Sequence, residues 1–320
     1  MEIVLSIIAG LVLFLYAVNH LSDTLSGLAG DNTKKWLERF TKNTLSSIIT
    51  GTIVTTLLDS SSVVIIITIV MINSGILNFR NAMGIILGAN IGTTFSSQII
   101  AMDIGKYSPI LLALGLILVF ISKSENISKS GKLFLYFGML FFGLFTMERA
   151  VEPLRESVAF VEWMHKLENP LQGAGTGALL TLIIQSSSAT VGMAIVLAKK
   201  GLLTLPAGIA VMMGAEIGTC SDTLLATIKG SRQAIKAGLF HLIFNITSVI
   251  LGLIFIHQFT SLINWSFPKA SPEHLLANAH MLFNIFGVVL FAFLIPTFEK
   301  ILNKMLPEKR LHASTTQLSH

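Results

Sequence analysis

The motif Asp59-Ser60-Ser61-Ser62 returns as Gln185-Ser186-Ser187-Ser188, and each copy interrupts a long apolar stretch. Other pairs share the same offset of 126 residues. Thr50-Gly51 falls on Thr176-Gly177, Thr55 on Thr181, Gly75 on Gly201, and "GANIGT" (88–93) on "GAEIGT" (214–219). Upstream, Leu15-Tyr16-Ala17 meets Phe141-Phe142-Gly143 without a gap. A repeat of this length fixes the architecture before any local feature does. It divides the chain into unit one (1–126), unit two (127–252), an extra C-terminal helix (253–306) and a polar tail (307–320).

The chain is 52% hydrophobic and only 12% charged, where soluble domains carry about 25% charge. Apolar runs of about 20 residues recur, which predicts an all-α, polytopic membrane protein. The first run, Ile3 to Val18, has no basic segment before it and no small-residue cleavage site, so it reads as a retained helix and not a signal peptide. The net charge of +5 suggests basic loops at a membrane face. The basic residues are spread along the loops without interleaved aromatics, so no nucleic-acid partner is expected. The single cysteine, Cys220, excludes an internal disulfide and a cysteine-based metal site.

Each unit reads the same way. A first helix (3–22; 133–147) is followed by a polar link (23–43; 148–170). Next come the serine segment (44–73; 171–198), a second segment expected to break at the glycine motif (80–102; 206–228), and a closing helix (108–122; 237–257). One more helix covers 279–298. The serine segment either crosses the membrane or enters and returns as a hairpin. As one helix it would span about 43 Å, against a hydrocarbon core of about 30 Å, which favours a break. Lys300, Lys304, Lys309 and Arg310 favour a cytoplasmic C-terminus and an external N-terminus. The Lys/Arg asymmetry is the same for crossing and hairpin, so it does not choose between them. Hairpins make the units inverted; crossings make them parallel.

A helix interrupted in mid-membrane exposes backbone groups that lipid cannot satisfy, and such breaks persist where they line a cavity. Half-helix N-termini then hold an anion, and unwound carbonyls a cation. Glycines 88, 92, 214 and 218 would let the backbone bend and approach a ligand. The bland alternative is that serine and glycine permit close helix packing; two aligned serine triplets with polar heads argue against it. A carboxylate at a helix centre costs roughly 2.5–3.5 kcal/mol on insertion scales, so Asp59 and Glu216 each need a reason, while Asp222 is near an interface. "HLIFN" (241–245) and "HMLFN" (280–284) place His and Asn on one helix face, which fits hydrogen bonding between helices better than metal ligation. The acidic and basic residues of 148–168 read as a solvated loop, and Lys199-Lys200 as an interfacial anchor.

These motifs resemble those of the type II sodium-dependent phosphate cotransporters, over residues 10–298. The resemblance rests on "GTGALLTLIIQSSSAT", "TGTIVTTLLDSSS", "GANIGTT", "GAEIGT", the "FLYAVNHLSDTLSGLAG" opening and the "HLIFN" elements. It implies two inverted repeats, each with a re-entrant helical hairpin and a broken transmembrane helix. It also implies secondary active transport: sodium-coupled symport of inorganic phosphate or a related anion by alternating access, in the cell membrane. Carried over by position, Ser60, Ser61, Ser62, Gln185, Ser186, Ser187 and Ser188 would bind substrate. Asn90, Thr93, Thr94, Thr190 and Thr219, with Asp59 and Glu216, would form the ion-binding set. Two departures from the family pattern are Asp59, where Gln is usual, and Glu216, where Asn is usual. Two carboxylates beside a dianion would repel it, so protons are an alternative coupling ion, and a different solute bound directly by Asp59 and Glu216 is the alternative cargo. No cofactor is expected beyond sodium ions. No "GxSxG" or "HExxH" signature is present, so the chain is not expected to be an enzyme. A non-transporting sensor is the competing class, and oligomeric state is not encoded in these motifs.

Overall fold

A computed structural model describes residues 2–29, 32–102, 104–121, 124–228 and 230–307. The tail beyond 307, including Lys309 and Arg310, lies outside the described residues. Unit one contains α1 (Glu2–Ala29), α2 (Asn32–Phe40), α3 (Thr44–Leu58), α4 (Ser61–Asn73), α5 (Phe79–Ile100) and α6 (Ser108–Ile121). Then follow α7 (Glu125–Val151), α8 (Val158–Lys166), α9 (Pro170–Ile184), α10 (Ser187–Lys199), α11 (Leu205–Gly218), α12 (Cys220–Thr227) and α13 (Arg232–Ile254). Finally come α14 (Ile256–Ser266) and α15 (Pro272–Met305). Among the described residues, six helices are long and apolar enough to cross a membrane: α1, α5, α7, α11 with α12, α13 and α15.

The repeat is kept in the backbone. Asp59 and Gln185 both adopt left-handed dihedrals, with φ of 53° and 60°, and Gly75 and Gly201 do so at 70° and 67°. The boundaries of α3, α4, α9 and α10 repeat at the same offset of 126.

Close contacts give the helix directions. On α5, a Cβ at Gly88 would lie 2.0 Å from Ile48 O, and one at Gly92 would lie 2.6 Å from Thr55 Cβ. Residue numbers rise together, so α3 and α5 run parallel. In unit two, Cβ atoms at Gly214 and Gly218 would lie 1.9 Å from Ala174 O and 2.6 Å from Thr181 Cβ, so α9 and α11 are parallel too. Parallel neighbours require α4 and α10 to run back. The segment α3–α4 therefore enters and returns to one end of the molecule, where the Asn81 side chain donates to Thr41 O. The segment α9–α10 returns to the end of α7, where Lys199 Nζ and Lys200 Nζ meet the Glu148 carboxylate at 2.6 and 3.0 Å. Each arm, of 15 or 13 residues, is about 20–22 Å long, too short to span a core of about 30 Å.

α1 and α7 are antiparallel: Gly10 packs on Gly143 and Met147, while Tyr16 and His20 meet the Tyr136 ring. Opposite the Glu148 end, Asn73 Oδ1 accepts from Ser231 N at 2.8 Å, Lys236 Nζ donates to Asn303 at 2.6 Å, and Arg80 pairs with Glu299 at 3.6 Å. The start of α1 and the end of α15 thus lie at opposite ends.

Four expectations change. The segment 80–102 is not broken: α5 runs continuously through Gly88–Thr94. Asn90 Nδ2 and Thr94 Oγ1 bond to carbonyls of α5 itself, and the glycines serve contact with α3 rather than bending. In unit two the ladder is interrupted only at Thr219, whose φ of −65° and ψ of −17° remain right-handed helical. The stretch 148–168, expected to be a solvated loop, contains α8, and Lys199-Lys200 is not a lone anchor but the cationic half of a cluster with Glu148 and Glu152. The C-terminal region 253–306 holds two helices, α14 and α15.

Substituting Gly88 or Gly214 by alanine puts a methyl group against a backbone carbonyl that cannot move without its helix. Each is expected to destabilise the fold by about 1–3 kcal/mol. Gly175→Ala, whose Cβ would meet nothing within 4 Å, is expected to be neutral or stabilising by up to about 1 kcal/mol. Thermal unfolding in detergent, followed by loss of the monodisperse chromatographic peak, reads the difference.

Candidate functional site

The two hairpin tips are built alike. Asp59 ends α3 and Gln185 ends α9 in the left-handed region, which non-glycine residues occupy only when their surroundings hold them there. The next residue turns the chain and caps the following helix. Ser60 has φ −153° and ψ 107°, and its hydroxyl accepts from Val63 N. Ser186 has φ −152° and ψ 109°, and its hydroxyl accepts from Ala189 N. Serine suits this place because its short side chain reaches the amide three residues on, one of four donors that a helix start leaves free. The remaining first-turn serines, Ser61 and Ser62 on α4 and Ser187 and Ser188 on α10, are left to face something else.

They face a common cavity of about 360 Å³. Residues 59–63 and 185–188 line it from the two tips, joined by Thr93 and Thr219 from α5 and the α11–α12 junction. Ten residues singled out in the sequence line it: Asp59, Ser60, Ser61, Ser62, Thr93, Gln185, Ser186, Ser187, Ser188 and Thr219. Two helix N-termini open on one space, each with the partial positive charge of its free amides.

Three carboxylates, Asp23, Asp59 and Asp222, line the same cavity, and among the described residues no Lys, Arg or His does. Asp59 accepts from Ser96 Oγ. Asp222 accepts from Ser221 Oγ at 3.2 Å and from Ser62 Oγ at 3.1 Å, the latter bond joining the tip of one unit to the other unit. The repeat explains this arrangement. At the offset of 126, Asp59 matches Gln185 and Ser96 matches Asp222. Within these matched pairs the acid stands on the hairpin in unit one and on the neighbouring helix in unit two, and Asp23 of α1 adds a third carboxylate from unit one.

Four expected site residues do not line the cavity. Asn90 and Thr94 are turned to α5 carbonyls. Thr190 Oγ1 accepts from Thr181 Oγ1 at 2.8 Å, behind the second tip. Glu216 is 2% exposed and its Oε1 meets His280 Nε2 at 2.7 Å and Asn284 Nδ2 at 2.9 Å. Glu216 lies about 4.5 Å back along α11 from Thr219, and His280 and Asn284 of α15 engage its carboxylate there, while Thr219 lines the cavity. Asn19, Asp23 and Asp222 were missed as lining residues. The register of Ser96 with Asp222 could have revealed Asp222, and Asn19 and Asp23 lie in the "FLYAVNHLSDTLSGLAG" opening, to which the sequence reading gave no site role.

The Na+/Pi-cotransporter family model matches residues 13–149 and 156–295. The "Uncharacterized protein YqeW" of Bacillus subtilis is 29% identical over 269 residues, covering 84% of this chain and 87% of that one. The "Putative inorganic phosphate export protein YjbB" of Escherichia coli K12 is 25% identical over 219 residues, covering 68% of this chain but only 40% of that protein. Human "Sodium-dependent phosphate transport protein 2B" is 31% identical over 134 residues, 38% of this chain and 19% of that one. No solved structure matches. The two matched stretches together cover both serine motifs, both glycine motifs and most of α15, and the chain belongs to the Na+/Pi-cotransporter family, a family of multi-pass membrane transporters.

Proposed function

We propose that this transporter moves inorganic phosphate or a closely related oxyanion, coupled to sodium, through the cavity between its two hairpin tips. The observation that carries the reading is the convergence of two serine-capped helix N-termini on one space of about 360 Å³. Hydroxyls and first-turn amides donate to an oxyanion without a fixed cation. The absence of Lys and Arg from the lining then gains a purpose. Unit charges of like sign 4 Å apart repel by about 4 kcal/mol at an effective dielectric of 20, so a phosphate beside Asp59 and Asp222 requires accompanying cations. Sodium prefers oxygen ligands, and these carboxylates with their serine neighbours offer them. Substrate and coupling ion would thus bind together because neither binds well alone. The names of the relatives, phosphate export and sodium-dependent phosphate transport, agree with the cargo.

We also infer that the units are inverted. The antiparallel α1 and α7, and hairpins returning to opposite ends, support this reading, and it gives alternating access a simple form: two related halves exchange roles about a central site. Ser74→Cys and Thr204→Cys, each in a Cys220→Ala background, are then expected to react with an impermeant thiol reagent from opposite membrane faces. Labelling of both from one face would overturn the inversion.

Ser61 and Ser187 stand just inside their helices, so alanine there leaves the Ser60 and Ser186 caps intact. A hydrogen bond to a charged group is worth about 1.5–3 kcal/mol; each substitution is expected to weaken apparent phosphate affinity roughly 10- to 100-fold with normal membrane levels. Phosphate uptake into proteoliposomes measures this, and unchanged kinetics in both variants would remove the shared site. Asp59→Asn and Asp222→Asn are expected to raise the sodium concentration needed for half-maximal flux. A sodium titration at fixed phosphate checks that, and identical curves would exclude both carboxylates from ion binding.

A further inference from the structure

Glu216 is a buried carboxylate that the cavity does not use. It lies about 17 Å along α11 from its start, in the middle of the molecule. His280 and Asn284 of α15 hold its Oε1, and the far side of the imidazole, Nδ1, meets Ser97 Oγ of α5 at 2.7 Å. The four side chains Ser97, His280, Glu216 and Asn284 are each buried, at 1–2% exposure.

Packing alone does not ask for the acid. The structure contains a related cluster in which none is present. Thr223, which matches Ser97 at the offset of 126, meets His241 Nδ1 at 3.0 Å, and Asn245 closes the other ring nitrogen at 3.1 Å. That His–Asn element is satisfied by neutral groups. The residue matching Glu216 is Asn90, which bonds back to Ile86 O and takes no part. One of two related His–Asn elements therefore carries a carboxylate and the other does not.

We propose that Glu216 and His280 form a proton-binding site, separate from the anion cavity, that takes up one proton during the transport cycle. An ionised carboxylate only accepts hydrogen bonds, so the His280 Nε2 facing it carries hydrogen. With Nδ1 bare, Ser97 Oγ–H donates to it and the pair has net charge −1. With a proton on Nδ1, the imidazolium donates to Ser97 Oγ, the carboxylate stays ionised, and the pair is neutral. The proton binds by a turn of the Ser97 hydroxyl and without displacement of the ring. A lone buried negative charge is costly, and one proton on the pair removes it. Ser96, the residue before Ser97, bonds Asp59 at the first hairpin tip, so the pair and the tip bear on the same turn of α5.

The titratable groups on the elements around the pair, of which His241 and Cys220 interact with Glu216, have other partners or lie further off. Among the described residues, α9 carries no titratable group, and the charged residue of α10, Lys199, is tied to Glu148 at its far end. On α5, Arg80 pairs with Glu299. On α13, His241 is closed by Thr223 and Asn245, while Arg232 and Lys236 lie at the end near Asn303. Cys220 of α12 donates to Glu216 O at 3.5 Å, Asp222 is turned to Ser62, and His257 of α14 is exposed. On α15, Glu273 and His274 lie at its start and Glu299, Lys300 and Lys304 in its last two turns.

This proposal rests on the transport reading only for its effect on flux. The test uses the full chain, inorganic phosphate as probe, and two readouts. In proteoliposomes at equal sodium on both sides, a pH gradient is expected to drive phosphate accumulation by the wild type. Glu216→Gln and His280→Gln are expected to lose that accumulation, while phosphate exchange at symmetric pH continues in both. If wild-type exchange proceeds and the pH gradient drives nothing, or if both variants still accumulate phosphate, the proton site is refuted and the phosphate reading stands. In detergent, the infrared difference spectrum between about pH 5.5 and about pH 8.5, the range in which histidine titrates, is expected to contain imidazole bands that disappear in both variants. Those bands decide the proton site even if no phosphate moves. Their persistence in both variants overturns it.

Discussion

The structure depends on two interruptions of helical hydrogen bonding at Asp59–Ser60 and Gln185–Ser186. A helix start leaves four amide donors without partners, and in a bilayer each unsatisfied one costs several kcal/mol. Ser60 and Ser186 satisfy one donor apiece with their own side chains. The others are tolerable only because both starts open on a polar cavity shared with Thr93, Thr219 and the aspartates. The defect in secondary structure and the binding site are one feature. Removing the cavity would leave the breaks unsupported, and removing the breaks would leave the cavity without donors.

Holding such tips in place takes a rigid support, which the small residues supply. Gly88 and Gly214 bring α5 and α11 so close to α3 and α9 that a Cβ would fall within about 2 Å of the facing carbonyls, Ile48 O and Ala174 O. In lipid, where burial of apolar surface gives little drive to helix association, contact of this kind is the main attraction between helices. Thr52 Oγ1 adds a bond to Gly88 O at 3.1 Å across the same seam. Each hairpin is thereby fastened most closely along its first arm, while its returning arm rests less extensively on the same helix. That asymmetry places the tips at a fixed depth.

Charge is arranged with equal economy. Among the described residues the cavity collects carboxylates and no fixed cations. Glu216 is kept apart from that set by its bonds to His280 and Asn284 of α15. Lys199 and Lys200 gather on Glu148 and Glu152 at the end where the second hairpin returns, and Arg80 meets Glu299 at the other. These pairs sit at the ends of the molecule; the two lysines on Glu148 are largely buried, and Arg80 with Glu299 is more exposed.

Much of this was legible in the residues. The offset of 126 anticipated that Asp59 and Gln185 share a backbone conformation, that Ser60 and Ser186 share a cap, and that the arms end together, because local sequence governs turns and caps. It could also have paired Ser96 with Asp222. By contrast, "GANIGT" looked like a break and proved to be a seam. Glycine permits both bending and close approach, and which one occurs depends on whether another backbone is there to be approached. Composition and repetition determined that the chain is helical, membrane-embedded and doubled. Only the tertiary structure decided that α3 lies parallel to α5, that both tips reach one cavity while Glu216 faces His280, and that Asp23 and Asn19 join from α1. Those facts depend on contacts between residues far apart in the chain, about which local propensity carries no information.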